Sequence, residues 1–268
     1  MREIAKACLP SGLLRWLRKG GNRFEGDYAA WGEASRECCG YDADAILDKV
    51  LAASLKVKRG DAAYERDSIT FDQLDYSWPL LSGLMWGAAR NSGHLNVLDF
   101  GGSLGSTYFQ NLSFLQALPK IDWSVVEQPH YVEAGQTHIQ SEGLRFYSEI
   151  DECHLDRRPN TILLSSVLQY LDSPFDILDR LSNIGASCLI IDRTPFSNLD
   201  HDCITIQVVP ESIYSARYPM WIFSYSKFVD LFSHNWRIIS ELPCPEGDAS
   251  SGNGVKFNYK GLVLEAIR

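Results

Sequence analysis

The chain lacks long apolar runs. Nothing in it approaches the ~20 residues that a membrane-spanning helix needs, and Cys8-Leu9-Pro10 interrupts what would be a signal-peptide core. It lacks cysteine pairs: the seven cysteines are odd in number, none forms a C-x-x-C pair, and only Cys38 and Cys39 are adjacent. That argues against a disulfide scaffold or structural zinc and for reduced thiols in a cytoplasmic protein. It also lacks a surplus of positive charge, and a net charge of −9 argues against nucleic acid as the main partner. With no internal repeat or low-complexity linker, 268 residues of which 45% are apolar fit one α/β domain plus a helical extension.

The charge that is present is uneven. Residues 1–23 hold Arg2, Lys6, Arg15, Arg18, Lys19 and Arg23 against Glu3, so this arm is +5 and the remainder −14. A basic amphipathic arm suits peripheral contact with an anionic membrane surface or a lipid-linked substrate; the plain alternative is a solvated terminal helix. Residues 24–94 read as a helical cap rich in aromatic residues, with Ile46, Leu47, Val50, Leu51 and Leu55 at helix spacing in a helix starting at Asp44.

From residue 95 to 268 strand-like and helix-like runs alternate, the pattern of a mostly parallel sheet with helices on both faces. Val97-Leu98 is strand-like, and a glycine turn precedes a helix from Ser106 to Leu118. Strands are expected over Asp122–Glu127, Leu144–Tyr147, Thr161–Ser165 and Ser187–Asp192. Two more, Trp236–Leu242 and Tyr259–Ile267, suit an antiparallel edge. This is a seven-stranded, Rossmann-like expectation. The stretch 195–225 is too long for an ordinary connection and reads as a substrate loop.

The glycine turn in NVLDFGGSLGSTYFQN permits close backbone approach to a nucleotide-like ligand. A dinucleotide site wants G-x-G-x-x-G, but from Gly101 that register meets Ser103 and Ser106. The chain also holds no Tyr-x-x-x-Lys pair, which disfavours an NAD-linked oxidoreductase. Polar residues stand at each strand end in turn: Asp99, Glu127 with Gln128, Ser148 with Glu149, Ser165 with Ser166, and Asp192. Singly they read as caps and turns; together they mark the side where an open α/β sheet binds its ligand.

Asp99-x-Gly101 with Gly105 resembles motif I of class I S-adenosylmethionine-dependent methyltransferases, with Ser103 at the middle glycine position and Gly102 extra. Ser166-Val167-Leu168-Gln169-Tyr170 resembles their motif after the fourth strand, with Gln169 in place of histidine. A narrower similarity spans nearly the whole chain. It rests on Phe24-x-Gly26-x-Tyr28-x-x-Trp31, Gly40-Tyr41-Asp42, Tyr64-Glu65-Arg66-Asp67, Val97 to Ser106, Gln207-x-Val209-Pro210-x-x-Ile213-Tyr214 and Tyr218-Pro219-x-Trp221. These residues resemble a bacterial methyltransferase family, itself provisionally named, often found among surface-polysaccharide genes.

The resemblance implies S-adenosylmethionine as cofactor. It would be bound by Asp99, Gly101, Gly102, Ser103, Gly105, Glu127 (on the ribose), Gln128, Ser148, Glu149, Ser166 and Val167. It implies O-methylation of a sugar, nucleotide-sugar or surface-polysaccharide intermediate, a small-molecule or glycan acceptor, with a methyltransferase acting on a small-molecule metabolite or a non-catalytic interaction protein of the same fold as the alternatives. Methyl transfer needs alignment and a dry pocket and no metal, while a hydroxyl acceptor also needs a proton acceptor. His201 and Asp192 are the catalytic candidates. Tyr170, Arg193, Arg217, Tyr218 and Trp221 are the substrate-binding candidates, since aromatic rings and arginine suit a sugar face and an anionic group.

Overall fold

The computed structural model describes residues 22–38, 43–66, 68–209 and 216–267. The chain opens with β1 (Arg23–Tyr28), α1 (Trp31–Arg36) and α2 (Ala43–Arg59). A hairpin of β2 (Tyr64–Arg66) and β3 (Ile69–Phe71) follows, then α3 (Trp78–Arg90). Alternation then begins with β4 (His94–Phe100), α4 (Ser106–Leu115), β5 (Lys120–Val126) and α5 (Pro129–Ala134), which runs into a π-helical turn over Gly135–Ile139. Next come β6 (Leu144–Tyr147), α6 (Ile150–Arg157), β7 (Thr161–Ser165), α7 (Pro174–Ser182) and β8 (Cys188–Ser197). The chain finishes with β9 (Cys203–Val209), β10 (Ala216–Ser224), α8 (Tyr225–Asp230), β11 (Trp236–Ser250) and β12 (Lys256–Ala266).

Five parallel strands lie side by side in the order β6-β5-β4-β7-β8, and β12 adds antiparallel to β8 with β11 outside it. Successive residues of each central strand feed opposite cores, as the two-residue period of a strand demands. Val97, Trp123, Val125, Leu163 and Ile190 pack with α3 and α4 on one face. Leu98, Val126, Ile162, Leu164, Leu189 and Ile191 pack beneath α7 and α8 on the other. Helix α3 comes in close because it carries glycine on its inner face: a Cβ at Gly87 would lie 2.6 Å from Thr161 Oγ1. The chain leaves β4 toward β5 and β6, then returns to β7 on the other side, so strand order reverses between β4 and β7. A crevice at the carboxyl ends of those two strands is where such sheets bind ligands.

The seven expected strands are all present, but among the described residues the sheet has ten. The extra three form a leaf, β1-β9-β10, that joins β8 only through Phe223↔Phe196 and Ser224↔Ser197. The stretch 195–225 is therefore not a loop. Its β-branched runs Ile204-Thr205-Ile206 and Val208-Val209 pair with Ala216–Ile222, and only the connection 210–215 lies outside the described residues. The helical cap is likewise corrected: its first five residues, with Arg23 from the end of the arm, are strand β1, paired with β9 on the far edge of the sheet. Of the basic arm, residues 1–21 lie outside the described part, as do Gly40, Tyr41, Asp42, Asp67, Pro210, Ile213 and Tyr214. Cys153, Cys188, Cys203 and Cys244 are free thiols. Among the described residues no helix is long and apolar enough to cross a membrane.

Candidate active site

The glycine turn forms where β4 ends. Gly101 (φ 72°), Ser103 (φ 54°) and Gly105 (φ 88°) all take left-handed backbone, and Gly105 caps the start of α4. Ser103 thus adopts the conformation glycine would supply at the middle position, so this departure from motif I leaves the turn intact. The Gly101 amide donates to Val126 O at 2.9 Å, tying the turn to β5. The turn is packed from below by the protein itself. A Cβ on Gly102 would lie 2.5 Å from the Asp99 carboxyl, and one on Gly101 would lie 2.4 Å from Val167.

Asp99 is 1% exposed, and its carboxyl packs against Gly102 of the turn. Its Oδ2 accepts the Trp123 indole N–H at 3.0 Å. Burial pushes its pKa up to about 7, against the opposing pull of that hydrogen bond. Glu127 stands just past the end of β5. Its carboxylate accepts the Gln128 amide at 2.7 Å and the Ser103 amide, and burial raises its pKa while those two donors lower it. The turn and the acid are therefore tied by a hydrogen bond. Ser148 and Glu149 are exposed at the end of β6, where Glu149 leads into α6 and its carboxylate lies 4.0 Å from Arg180.

Strain collects on the β7–β8 side as well. Ser166 (φ 57°) and Arg193 (φ 50°) are left-handed, and non-glycine residues in that region cluster at functional sites. Ser166 N–H donates to Asp192 O at 2.9 Å. Ser165 Oγ donates to Asp192 Oδ2 at 2.8 Å, and Arg193 Nε lies 3.4 Å from the same oxygen. Between Ile191 and Thr194 the strand takes three steps where β12 takes two, Leu262 to Lys260. This bulge re-aims Asp192 and Arg193 at the strand end. Gln169, fully buried, donates to Ser166 Oγ and Arg193 O, both at 3.2 Å, so it braces this corner.

Tyr170 and Tyr218 meet edge to face at 5.1 Å. Gln207, which sequence reasoning left out of the site, joins them: it accepts from Tyr170 Oη at 3.0 Å and donates to Tyr218 Oη at 3.4 Å. The signal was a glutamine inside a strand-like run whose one other polar residue is Thr205, CITIQVV.

Two of the substrate-binding candidates point elsewhere. Arg217 and Trp221 sit at odd positions of β10, opposite Val208 and Ile204, and Tyr218 at an even one opposite Gln207. The pleat therefore sends them to the other face of the leaf. There Arg217 pairs with Glu25 at 3.3 Å, and Trp221 stacks on Trp31 at 5.9 Å and donates to Leu171 O. His201 does not join the cluster either. It lies in the connection after Ser197, five residues past Asp192 and so on the order of 15 Å along the strand. Its side chain is 61% exposed and bonded to Asp200 at 2.8 Å.

No protein-family model matches the chain, and no curated protein matches it. Among solved structures it is similar to an S-adenosylmethionine-dependent methyltransferase from Clostridium acetobutylicum ATCC 824, at 12% identity and a TM-score of 0.44, over 81% of this chain and 98% of that one. It is also similar to the N-methyltransferase NodS from Bradyrhizobium japonicum WM9 in complex with S-adenosyl-L-homocysteine, at 11% identity and a TM-score of 0.44, over 83% and 97%. A third is the 1,6-didemethyltoxoflavin-N1-methyltransferase from Burkholderia thailandensis, at 12% identity and a TM-score of 0.42, over 72% and 80%. At these values the likeness does not reach the chemistry of the crevice, which its own residues define.

Proposed function

We propose that the chain is an S-adenosylmethionine-dependent methyltransferase acting on a hydroxyl of a sugar, nucleotide-sugar or surface-polysaccharide intermediate. The observation that carries this reading is the left-handed glycine turn at the strand-order reversal, linked through the Ser103 amide to the Glu127 carboxylate. That donor set fits the cofactor. A carboxylate accepts two hydroxyl protons and so suits a ribose diol, while the turn and the start of α4 offer backbone to its amino-acid end. When bound, the cofactor would supply an electrophilic methyl group, its carbon–sulfur bond breaking with the electron pair left on sulfur as the neutral thioether S-adenosylhomocysteine.

The chain's own residues then have three tasks. Glu127 and the turn would hold the nucleoside. Tyr170, Gln207 and Tyr218 present a paired set of phenol and amide groups that suits an acceptor with several hydroxyls. Asp192, braced by Ser165 and Arg193, takes the proton from the acceptor oxygen as the new carbon–oxygen bond forms. The proton moves to a carboxylate oxygen and no metal ligand set is called on.

The test is calorimetry with S-adenosylmethionine and with NAD. The wild-type protein binds the first and not the second, and Glu127→Ala weakens binding by roughly 1–3 kcal/mol, the worth of a lost hydrogen bond to a charged group. Glu127→Gln is milder. Unchanged affinity in Glu127→Ala would remove the ribose assignment.

The +5 arm is the basis for placing the enzyme at the inner face of an anionic membrane. Deleting residues 1–19 leaves β1 whole, so turnover on a small soluble acceptor persists while sedimentation with anionic liposomes is lost. Equal sedimentation of both forms would make the arm a solvated terminus.

A further inference from the structure

The run Leu242-Pro243-Cys244-Pro245 lies on β11, outside the crevice residues named above, yet the fold brings its thiol to Asp192. β12 lies between β8 and β11, so a side chain on β11 belongs roughly 10 Å from β8, two strand spacings away. Cys244 Sγ nevertheless lies 3.7 Å from Asp192 Oδ1. Two irregularities close that gap. Between Pro243 and Asp248 β11 takes five steps where β12 takes two, Lys260 to Asn258, and the prolines flanking Cys244 have no N–H for the ladder. The bulge of β8 between Ile191 and Thr194 abuts this one, because Lys260 faces both Pro243 and Thr194. Gly261 stands between them: a Cβ there would lie 2.7 Å from Ile191 O and 3.0 Å from Leu242 Cβ, so a residue without a side chain lets the three strands come this close.

Ser165 Oγ and Arg193 Nε engage Asp192 Oδ2, while the thiol engages Oδ1. The carboxylate is thus gripped at both oxygens, which fixes its rotation about the Cβ–Cγ bond. Burial, and after it the Asp192 charge, raise the Cys244 pKa; Glu246 adds to them, and the Arg193 amide and side chain oppose them. The sulfur therefore keeps its proton and stays a donor. Its competing acceptor, Leu242 O, is neutral and farther away at 3.9 Å, and a charged acceptor holds a hydrogen bond better. A thiol is a weak donor, so it orients the carboxylate oxygen while leaving it more basic than an O–H or N–H donor would.

We infer that Cys244 is a positioning residue for the general base: its thiol donates to Asp192 Oδ1 and holds the carboxylate in the orientation in which it takes the acceptor's proton. This rests on the assignment of Asp192 as proton acceptor above. It gives the bulge of β11, an outer strand of the sheet, a part in the reaction.

The experiment uses the full chain, S-adenosylmethionine and a panel of acceptors, the UDP-, GDP- and dTDP-linked hexoses and the free hexoses. Cys244→Ala lowers kcat roughly 10- to 10²-fold, the scale for a reacting group displaced by about 1 Å, and leaves acceptor KM and S-adenosylmethionine affinity unchanged. Cys244→Val, which fills the volume without a donor, is as slow; Cys244→Ser, which keeps a donor, recovers most of kcat. A second readout needs no turnover. Iodoacetamide labelling of Cys244, followed by mass spectrometry of its peptide, is slow in the wild type and several-fold faster in Asp192→Asn, because the thiolate is the reactive form and the charge that opposes it is gone. Wild-type kcat in Cys244→Ala would overturn the inference. So would a serine variant as slow as the alanine one, which would make the sulfur a packing atom, or labelling that Asp192→Asn leaves unchanged. Full turnover in Asp192→Asn would remove the base itself, and no wild-type methylation across the panel would remove the acceptor reading; either takes this inference with it.

Discussion

Asp192→Asn lowers methyl transfer by ~10² to 10⁴-fold, the usual worth of a general base, while S-adenosylmethionine affinity stays close to wild type. Asparagine is nearly isosteric and still accepts a hydrogen bond from Ser165 Oγ, so the bulge after Ile191 keeps its shape. What it loses is the ability to take a proton. His201→Ala serves as the control: exposed and beyond Ser197, it retains full turnover. The opposite pattern, a crippled His201→Ala and an active Asp192→Asn, would return the proton acceptor to the connection before β9. Single-turnover measurement against one identified acceptor separates chemistry from product release.

Trp123→Ala destabilises the fold by roughly 3–5 kcal/mol or more. Removing a fully buried tryptophan leaves a cavity, and Asp99 loses its indole donor. Trp123→Phe separates the two effects, since it keeps most of the volume and loses only the N–H, at a cost of about 1–3 kcal/mol.

The pair also makes stability depend on pH. Asp99 titrates near about 7 when folded and near ~4 when unfolded. Between those values the native state holds a proton that the unfolded chain has released. The contribution of Asp99 to stability is therefore greatest below ~4, falls as pH rises toward about 7, and levels off above it. Asp99→Asn removes this slope. Trp123→Phe extends it to higher pH, because the lost hydrogen bond favoured the charged form. Urea denaturation at a series of pH values measures both, and an unchanged slope in Asp99→Asn would show that another group is responsible.

The parallel half of the sheet could be read from the chain because each of its strands is a short apolar run bounded by polar or glycine residues. Leu144–Tyr147 and Thr161–Ser165 fall where the composition puts them, and the succession of acids and serines at their ends follows from the strand direction. The leaf could not be read the same way. Its strands pair with partners far away in sequence, β1 with β9 and β9 with β10, and nothing local distinguishes such a pair from a long connection that happens to contain β-branched residues.

What the sequence determined by itself is the order of elements in the parallel half of the sheet, the glycine turn and the acid beyond the second strand. These depend on residue types at near spacing: left-handed backbone needs glycine or a small residue, and a buried strand needs an unbroken apolar run. What only the tertiary structure decided is which side chains share the crevice. The pleat of β10 separates Tyr218 from Arg217 and Trp221, and the length of β8 carries His201 away from Asp192. The hairpin docks Glu65 on Ser106, 41 positions along the chain. Those outcomes turn on strand register and on contacts between distant segments, which residue type and local spacing do not encode.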